Sequence, residues 1–347
     1  MGRRLSGDQK LPTIQAVAER AGVSIASVSR VLNGKGHVSP ATAEKVRRAV
    51  RELGYIPNHV AKSLKARRTE QIAFAVSDIG NPVYVAMARA VQAEAKAWGY
   101  RVILLSTDAN PTEELEVLRS LRERYADGLI LCPIRITPGH VRALERAAAP
   151  VVVIGSLPPD VPVDNVAVDS HRGALQAMEH LIGQGFTRIA FINGPSDTVP
   201  GGSRLRAYRE ALLNHGLPWD PQLVVSGDFQ MAGGYQAAEQ LLALPKRPEA
   251  VFCANDLMAL GAMRRFREAG LQIPQDLAIV GMDDIEHAAI ATPALTSVSL
   301  CAAERGRLAA QMLFRRLSGE AESLEPQRVT VTPRLVVRES SLMVRSQ

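Results

Sequence analysis

The sequence predicts a small helical unit followed by a larger, doubly wound α/β unit of two lobes. Helical patterns fill the first 54 residues, buried-strand patterns alternate with helical patterns from residue 71 onward, and basic residues are concentrated near the N-terminus. At 347 residues the chain also exceeds the roughly 250 to 300 residues at which a single hydrophobic core stops growing.

Three short helices follow from their end signals. Thr13 is a favourable N-cap for the first helix, Ser24 for the second and Ser39 for the third. Gly22 and Gly54 can adopt the left-handed conformation that ends a helix. Helix, tight turn, helix, loop and helix is the plan of a helix-turn-helix unit.

The second helix divides into an apolar face and an outer face of mostly short side chains. The inward side holds Val28, Val31 and Leu32, and the outward side holds Ile25, Ala26, Ser29 and Arg30, with Ser27 beside them. Arg30 can reach a guanine edge, the serines can reach phosphates or bases, and the apolar residues can touch thymine methyl groups. The same pattern also fits a plain surface helix with one arginine, and alone it leaves both interpretations open.

Charge is distributed unevenly along the chain. Residues 1–68 contain 14 lysines and arginines against four acidic residues, although the net charge of the whole chain is only +6. This separation indicates a polyanion at one end of the molecule. Charge alone is equally compatible with a solvated basic surface.

The α/β pattern starts at residue 71. Its nearly continuous apolar runs, typical of parallel strands buried on both faces, are IAFAV, RVILL, GLIL, VVVI, RIAFI, AVFC and LAIV. Such sheets bind ligands at the carboxyl ends of their strands. Between the two regions, Val60, Ala61 and Leu64 indicate a helix too short to be stable alone in water.

Several function classes lack their sequence signals. No apolar run reaches the ~18 residues of a membrane span, and the N-terminus lacks a signal-peptide core, so we expect a cytoplasmic protein with no membrane partner. No glycine-rich phosphate loop, no G-x-S-x-G turn and no metal-ligand spacing occurs. We therefore expect no enzymatic activity, no cofactor, no catalytic residue and no metal site.

The stretch from Thr13 to Thr69, TIQAVAERAGVSIASVSRVLNGKGHVSPATAEKVRRAVRELGYIPNHVAKSLKARRT, resembles the DNA-binding domain and hinge of the LacI/GalR family of bacterial transcription regulators. The similarity continues through VSDIGNPVYVAMARAVQAEAKAWGYRVILL, CANDLMALGA and VGMDDI, and it covers nearly the whole chain. It implies a homodimer or tetramer whose partners are double-stranded operator DNA and a small-molecule effector. The chain stops soon after PRLVVRESS, which favours a dimer.

The resemblance also implies the domain organisation. We expect a helix-turn-helix headpiece at residues 1–56, a hinge helix or linker at 57–69, and a core at 70–340 like that of periplasmic sugar-binding proteins. One lobe would comprise about 70–165 and 299–327, and the other about 166–298 and 328–340.

The resemblance implies two sets of binding residues. Leu64 is the hinge leucine that family members insert into the minor groove, where an apolar wedge kinks the duplex. The DNA-binding set is Thr13, Ser24, Ile25, Ala26, Ser27, Ser29, Arg30, Asn33, His37, Asn58, Ala61, Leu64 and Lys65. The effector-binding set is Asp78, Tyr84, Arg204, Phe229, Asn255 and Asp283, and Asp256 would face the same cleft.

Carboxylates, an amide and an arginine beside an aromatic ring suit a sugar or sugar derivative. Two positions depart from the family pattern. Gly155-Ser156 stands where many sugar-responsive members have Asp-Arg, and Thr198 stands where purine-binding members have arginine. A nucleoside or purine effector stays an alternative, as do a phosphorylated or acidic sugar and a sugar-binding protein without DNA activity.

Overall fold

The computed structural model describes residues 12–33, 37–56, 68–319 and 325–342. The chain divides into two compact units, residues 1–69 and 70–347. No helix in the described ranges is long and apolar enough to cross a membrane. The predicted hinge residues Asn58, Ala61, Leu64 and Lys65 lie outside the described residues.

The described part of the N-terminal unit consists of three helices around one small core. Its helices are α1 Ile14–Ala21, α2 Ile25–Asn33 and α3 Pro40–Leu53. One apolar face of each helix points inward, and the buried residues of this core are Val17, Ala18, Ala21, Val28, Val46 and Ala49.

The helix ends are those expected from the sequence. The hydroxyls of Thr13, Ser24 and Ser39 each accept a hydrogen bond from the amide three residues later, at 3.2, 3.2 and 3.3 Å. Gly22 and Gly54 follow α1 and α3 with φ angles of 64° and 61°. Because a side chain is strained at such angles, glycine is the favourable residue at both positions.

The first lobe of the larger unit contains a six-stranded parallel sheet. Its strands are β1 Gln71–Val76, β2 Arg101–Ser106, β3 Gly128–Cys132, β4 Val151–Ile154, β5 Asp164–Val168 and β11 Arg328–Val331. They are ordered β11-β5-β4-β3-β1-β2. Val76 pairs with Ser106 on one side and Cys132 on the other, which aligns the carboxyl ends of β1, β2 and β3.

The second lobe contains another six-stranded sheet. Its strands are β6 Ile189–Asn193, β7 Val224–Ser226, β8 Ala250–Cys253, β9 Ala278–Asp283, β10 Thr296–Ser299 and β12 Arg334–Val336. They are ordered β12-β10-β9-β8-β6-β7. Only β12 runs antiparallel to its neighbour.

Helices accompany both sheets, as the alternating pattern predicts. In the first lobe they are α4 Pro82–Ala97, α5 Pro111–Ser120, α6 Pro138–Glu145 and α12 Ala302–Leu317. In the second they are α7 Ser170–Gly183, α8 Val199–Asn214, α9 Met231–Leu242, α10 Asp256–Glu268 and α11 Glu286–Ile290. Three 3-10 turns span Leu121–Glu123, Pro221–Leu223 and Glu339–Ser341.

The chain crosses between the lobes three times: after β5, between β10 and α12, and between β11 and β12. At these crossings the strands extend a few residues past the approximate lobe boundaries expected from the sequence. Val166 and Val329, both assigned to the second lobe, pair with each other in the first sheet, and Ser299, assigned to the first lobe, ends a strand of the second. The apolar patterns of the two sheets are alike, so the sequence cannot show which sheet an edge strand joins.

Candidate functional site

The outward face of α2 presents an arginine that has no partner among the described residues. Ile25 is 48% exposed, and Ala26 and Arg30 are exposed beside it. The Arg30 guanidinium forms no hydrogen bond or ion pair with the described residues. Small side chains at the start of the helix and a free guanidinium one turn later suit insertion into a major groove about 12 Å wide.

The inward face of α2 is the one predicted. Val28 is fully buried, and Val31 and Leu32 pack against the same core. The first-turn serines interact with each other, because the Ser24 and Ser27 hydroxyls lie 3.0 Å apart and share a hydrogen bond. Ser29 is half-buried.

The remaining headpiece predictions concern positions outside α2's outer face. The Thr13 hydroxyl caps α1, and His37 is exposed. The side chain of Asn33 lies outside the described part of the chain. Contact of these residues with DNA stays a prediction.

An ion-pair cluster fixes α1 against α3. Glu52 on α3 accepts from Arg20 of α1 at 2.7 Å and from Arg48 of its own helix at 3.0 Å. The hydrogen bond from Arg20, and then that from Arg48, holds the pKa of the Glu52 carboxyl below its usual range. This contact supports the helix arrangement on which the orientation of α2 depends.

A cavity of about 750 Å³ lies between the two sheets of the larger unit. Its walls come from both lobes, at the carboxyl ends of their strands. The predicted effector-binding residues that line it are Asp78, Tyr84, Arg204, Phe229, Asn255 and Asp283. The structure therefore brings all six to one cavity, and their contact with a ligand stays a prediction.

Arg204 is a buried charge on α8. It is 5% exposed, its Nη1 donates to the carbonyl oxygen of Ala254 at 2.5 Å, and its guanidinium carbon lies 6.0 Å from the centre of the Phe229 ring. Burial lowers the pKa of Arg204, and the negative charge of Asp283 opposes that change. A ligand in the cavity would meet a cation over an aromatic face.

Asp283 ends β9 in a conformation that side chains rarely adopt. Its φ angle is 117°, and it is 9% exposed at the cavity wall. Burial raises the pKa of its carboxyl to about 6, and Arg204 and then Arg305 oppose the rise. Strained, buried and titratable groups of this kind gather at functional sites.

The position of the Phe229 ring in the cavity wall depends on a glycine, Gly194. Phe229 has a φ angle of 67°, and a Cβ atom on Gly194 would overlap the Phe229 ring. Asn255 holds the same segment, because its Nδ2 donates to the Phe229 carbonyl at 2.8 Å while its Oδ1 caps α10. Asn255 therefore supports the wall that it also lines.

Tyr84 and Asp78 line the cavity from the first lobe. Tyr84 is half-buried, and burial is the main cause of its raised pKa. Asp78 accepts from the Gly80 amide and from Gln230 Nε2, both at 2.7 Å. Because Gln230 precedes α9 of the second lobe, Asp78 joins the two lobes.

The expectation that Asp256 faces the cleft is wrong. Asp256 is fully buried and does not line the cavity. Its oxygens accept from the Ser297 hydroxyl at 2.6 Å and from the Ile285 amide at 2.9 Å. Its role is to join α10 to the neighbouring strand and loop, whereas Asn255, one residue earlier, reaches the cavity.

Four charged residues of the cavity were not predicted from the sequence: Asp108, Asp169, Asp228 and Arg305. Arg305 of α12 lines the wall and is 7% exposed. On a helix that carries several other charges, its periodicity gives no sign that it points inward. Its position one residue before Gly306, which lies against α4, is a signal that could have identified it.

The two departures from the family pattern lie in different places. Gly155 and Ser156 line the cavity, so its wall carries no charge at that point. Thr198 is buried outside the cavity lining, where its hydroxyl donates to the Pro195 carbonyl and accepts from the Gly201 amide. Among the described residues, no group of histidine, cysteine and carboxylate side chains could hold a metal ion.

Both units match known families. Residues 13–58 match the model of bacterial regulatory proteins of the lacI family, and residues 178–341 match that of the periplasmic binding protein-like domain. The chain is 38% identical over 340 residues to the transcriptional regulator CelR of Thermobifida fusca, covering 96% of this chain and 99% of CelR. It is 37% identical over 332 residues to the ribose operon repressor of Escherichia coli K12, covering 95% and 100%.

The fold of this chain also matches solved structures of transcription regulators. The complex of transcriptional regulator CelR with cellobiose matches with a TM-score of 0.71 at 38% identity, covering 95% of this chain and 99% of that one. The lac repressor dimer bound to operator and the anti-inducer ONPF matches with a TM-score of 0.84 at 29% identity, covering 96% and 100%. Similarity therefore extends through both units.

Proposed function

The chain belongs to the LacI family of bacterial regulatory proteins, and from that premise we propose that α2 reads operator DNA while a sugar or sugar derivative in the cavity controls operator affinity. The protein is a DNA-binding transcriptional regulator. The observation that carries the proposal is the cavity lined from both lobes, where Arg204 and Asp283, which have opposite charges, are both buried.

The DNA half of the proposal assigns a role to each face of the headpiece. Arg30 donates to a base edge, Ile25 and Ala26 contact thymine methyl groups, and Ser27 and Ser29 contact phosphates or bases. Thr13, Ser24, Asn33 and His37 complete the headpiece surface, and Asn58, Ala61, Leu64 and Lys65 form the hinge contacts. The protein binds as a homodimer, so that two copies of α2 reach the two halves of an operator.

The effector half rests on the polar groups of the cavity. Arg204 and Asp283 donate to and accept from hydroxyls, and Phe229 or Tyr84 covers an apolar ring face. The ribose operon repressor and the cellobiose complex of CelR are similar proteins whose names point to sugars. Purine-binding members have an arginine at the position of Thr198, and here Thr198 is buried outside the cavity lining. This difference favours a sugar over a purine.

Control works through a shift between two arrangements of the lobes. A ligand changes operator affinity only by the difference of its affinities for the two arrangements, so it acts as inducer or corepressor according to which it prefers. We also propose that the protein acts in the cytoplasm, where operator DNA is found, and has no catalytic activity. Its relatives are transcriptional regulators.

The test combines operator selection with effector titration. The full-length protein selects its operator from random duplexes, and operator affinity is then measured against ribose, cellobiose and a wider sugar panel. We expect one sugar class to change that affinity, and the variants R204M and D283N to bind operator normally without responding. R122A, at an exposed site of the first lobe, is the control. Variants that bind the effector as tightly as the parent would place the site elsewhere.

A further inference from the structure

Arg305 is held in the cavity wall by the packing of its helix. The next residue, Gly306, lies so close to α4 that a Cβ atom there would sit 2.6 Å from the Met87 carbonyl oxygen. Because the two helices pack this closely, Arg305 lies at the cavity wall, where only 7% of the residue is exposed. Arg307, two residues later, is exposed instead.

The Arg305 guanidinium donates no hydrogen bond to any of the residues that the structure describes. Its Nε is buried with no hydrogen-bond acceptor. Across the described ranges, no carboxylate or carbonyl accepts a hydrogen bond or forms an ion pair with its side chain. A buried N–H donor without an acceptor is costly, because its hydrogen bond to water has been lost and not replaced.

Arg204 repeats this feature in the same cavity. Its Nη1 is held by Ala254 and its Nη2 lies 3.4 Å from the Ser170 hydroxyl, but its Nε is also buried without an acceptor. Burial lowers the pKa of both arginines. Two guanidinium groups with unused donors therefore share one cavity.

The carboxylates of the cavity do not satisfy these donors. Asp283 is the buried one, and no ion pair within 4 Å joins it to either arginine among the described residues. Asp256, buried behind the wall, already accepts from Ser297 and Ile285. Four other lining aspartates accept hydrogen bonds at loops and helix starts: Asp78, Asp108, Asp169 and Asp228.

We propose that the effector is an acidic sugar derivative whose carboxylate or phosphate lies between Arg204 and Arg305 and accepts hydrogen bonds from both. Guanidinium groups suit this role because they present several donors in the planar geometry that carboxylates and phosphates accept. Asp283, facing the same space, accepts from the hydroxyls of the ring. The inference rests on the proposed function, since it specifies the ligand of that same cavity.

The ligand test compares acidic sugars with their neutral counterparts. Thermal denaturation and operator binding of the full-length protein are measured with D-glucose, D-glucuronate and D-glucose 6-phosphate, and with D-ribose, D-ribonate and D-ribose 5-phosphate. We expect an acidic probe to bind at least about tenfold more tightly than its neutral parent. A preference for the uronate or ribonate identifies a carboxylate, and a preference for the sugar phosphates identifies a phosphate.

Two variants on one helix separate the cavity arginine from a surface arginine. R305M should weaken the acidic probe at least about tenfold and change the neutral probe by less than about twofold, whereas R307M should change neither. Without ligand, R305M should raise the melting temperature, because it removes a buried charge that has no hydrogen-bond acceptor among the described residues. A lower melting temperature would show a structural role for Arg305 and overturn the proposal.

Other outcomes divide this inference from the proposed function. A neutral sugar that controls operator binding equally in the parent and in R305M overturns the inference and leaves the proposed function standing. Acidic probes that give no shift in melting temperature at 10 mM, roughly a hundred times a dissociation constant of about 0.1 mM, also overturn the inference. A parent whose operator affinity responds to no small molecule contradicts both.

Discussion

Arg135 and Asp197 form a two-point ion pair across the two lobes, with Nε 2.8 Å from Oδ2 and Nη2 3.1 Å from Oδ1. Arg135 follows β3 of the first lobe, and Asp197 follows β6 of the second. The Val199 amide, which donates to the Ile134 carbonyl at 2.9 Å, lies beside this pair. Together with the contact between Asp78 and Gln230, these bonds join the lobes beside the cavity.

D197N should therefore weaken the arrangement in which the lobes are joined. Because the Asp197 side chain is 67% exposed, we expect effector affinity to fall by no more than about fivefold. The hydrogen bond from Arg135 holds the pKa of Asp197 below its usual range, so the contribution is present at neutral pH and lost as pH falls through that lowered pKa. Calorimetry at pH 7.5 measures the loss.

E179Q is the matched control, since Glu179 pairs with His215 inside the second lobe. It should leave effector affinity unchanged. Equal losses in D197N and E179Q would contradict a role specific to the lobe contact.

D283N should change how stability depends on pH. The pKa of Asp283 is raised to about 6 by burial, above its ordinary value of 3.8, so the folded protein holds a proton that the unfolded chain releases. Between those two values the ligand-free parent loses stability as pH rises, by up to roughly 3 kcal/mol. Urea denaturation at pH 4 and pH 7.5 should show D283N gaining stability relative to the parent at the higher pH. A parallel dependence in both proteins would contradict the assignment.

G194A should displace the aromatic wall. The added Cβ would overlap the Phe229 ring, so we expect a loss of about 1 to 3 kcal/mol in the free energy of unfolding and at least about a tenfold loss of effector affinity. Gly183 is a matched control, because it ends α7 and a Cβ atom added there would meet no atom within 4 Å. G183A should be neutral or stabilise by up to about 1 kcal/mol. If both variants bind the effector like the parent, Phe229 is not part of the site.

R30A should impair sequence recognition rather than general DNA affinity. Loss of a base-edge contact costs about 1 to 3 kcal/mol on the selected operator and much less on random duplex. R47A, which removes an exposed charge from α3, should weaken both duplexes alike and reduce the salt dependence. Fluorescence anisotropy compares the two duplexes at one salt concentration, and a salt titration of the operator complex measures the salt dependence. Equal losses of R30A on operator and random DNA would assign Arg30 to the phosphates.

Local signals account for the parts of the structure that the sequence predicted well. Thr13, Ser39 and Gly54 act within one helical turn of themselves, so their roles can be recognised without the rest of the fold. The buried strands were equally visible, because a strand covered on both faces is apolar throughout. The family resemblance then indicated which distant residues would line one cavity.

Features that depend on distant partners were not predictable in this way. The Asp78 and Gln230 side chains are 152 positions apart, and nothing near either residue indicates the pair. Asp256 and Asn255 look alike as polar residues at a helix start, and only the packing of Ser297 and Ile285 shows that Asp256 faces the wall. Arg305 was missed for the same reason, since the inward side of α12 is defined by α4.

The three crossings of the chain between the lobes have a consequence for how such a protein can be recombined. Neither lobe is encoded by one uninterrupted stretch of the gene, because α12 and β11 return to the first lobe after the second has been built. Residues 1–69, by contrast, form a contiguous unit. A single recombination point near residue 69 would combine a different DNA-binding specificity with an unchanged effector-binding unit. Exchanging one lobe, by contrast, would require three joins made together.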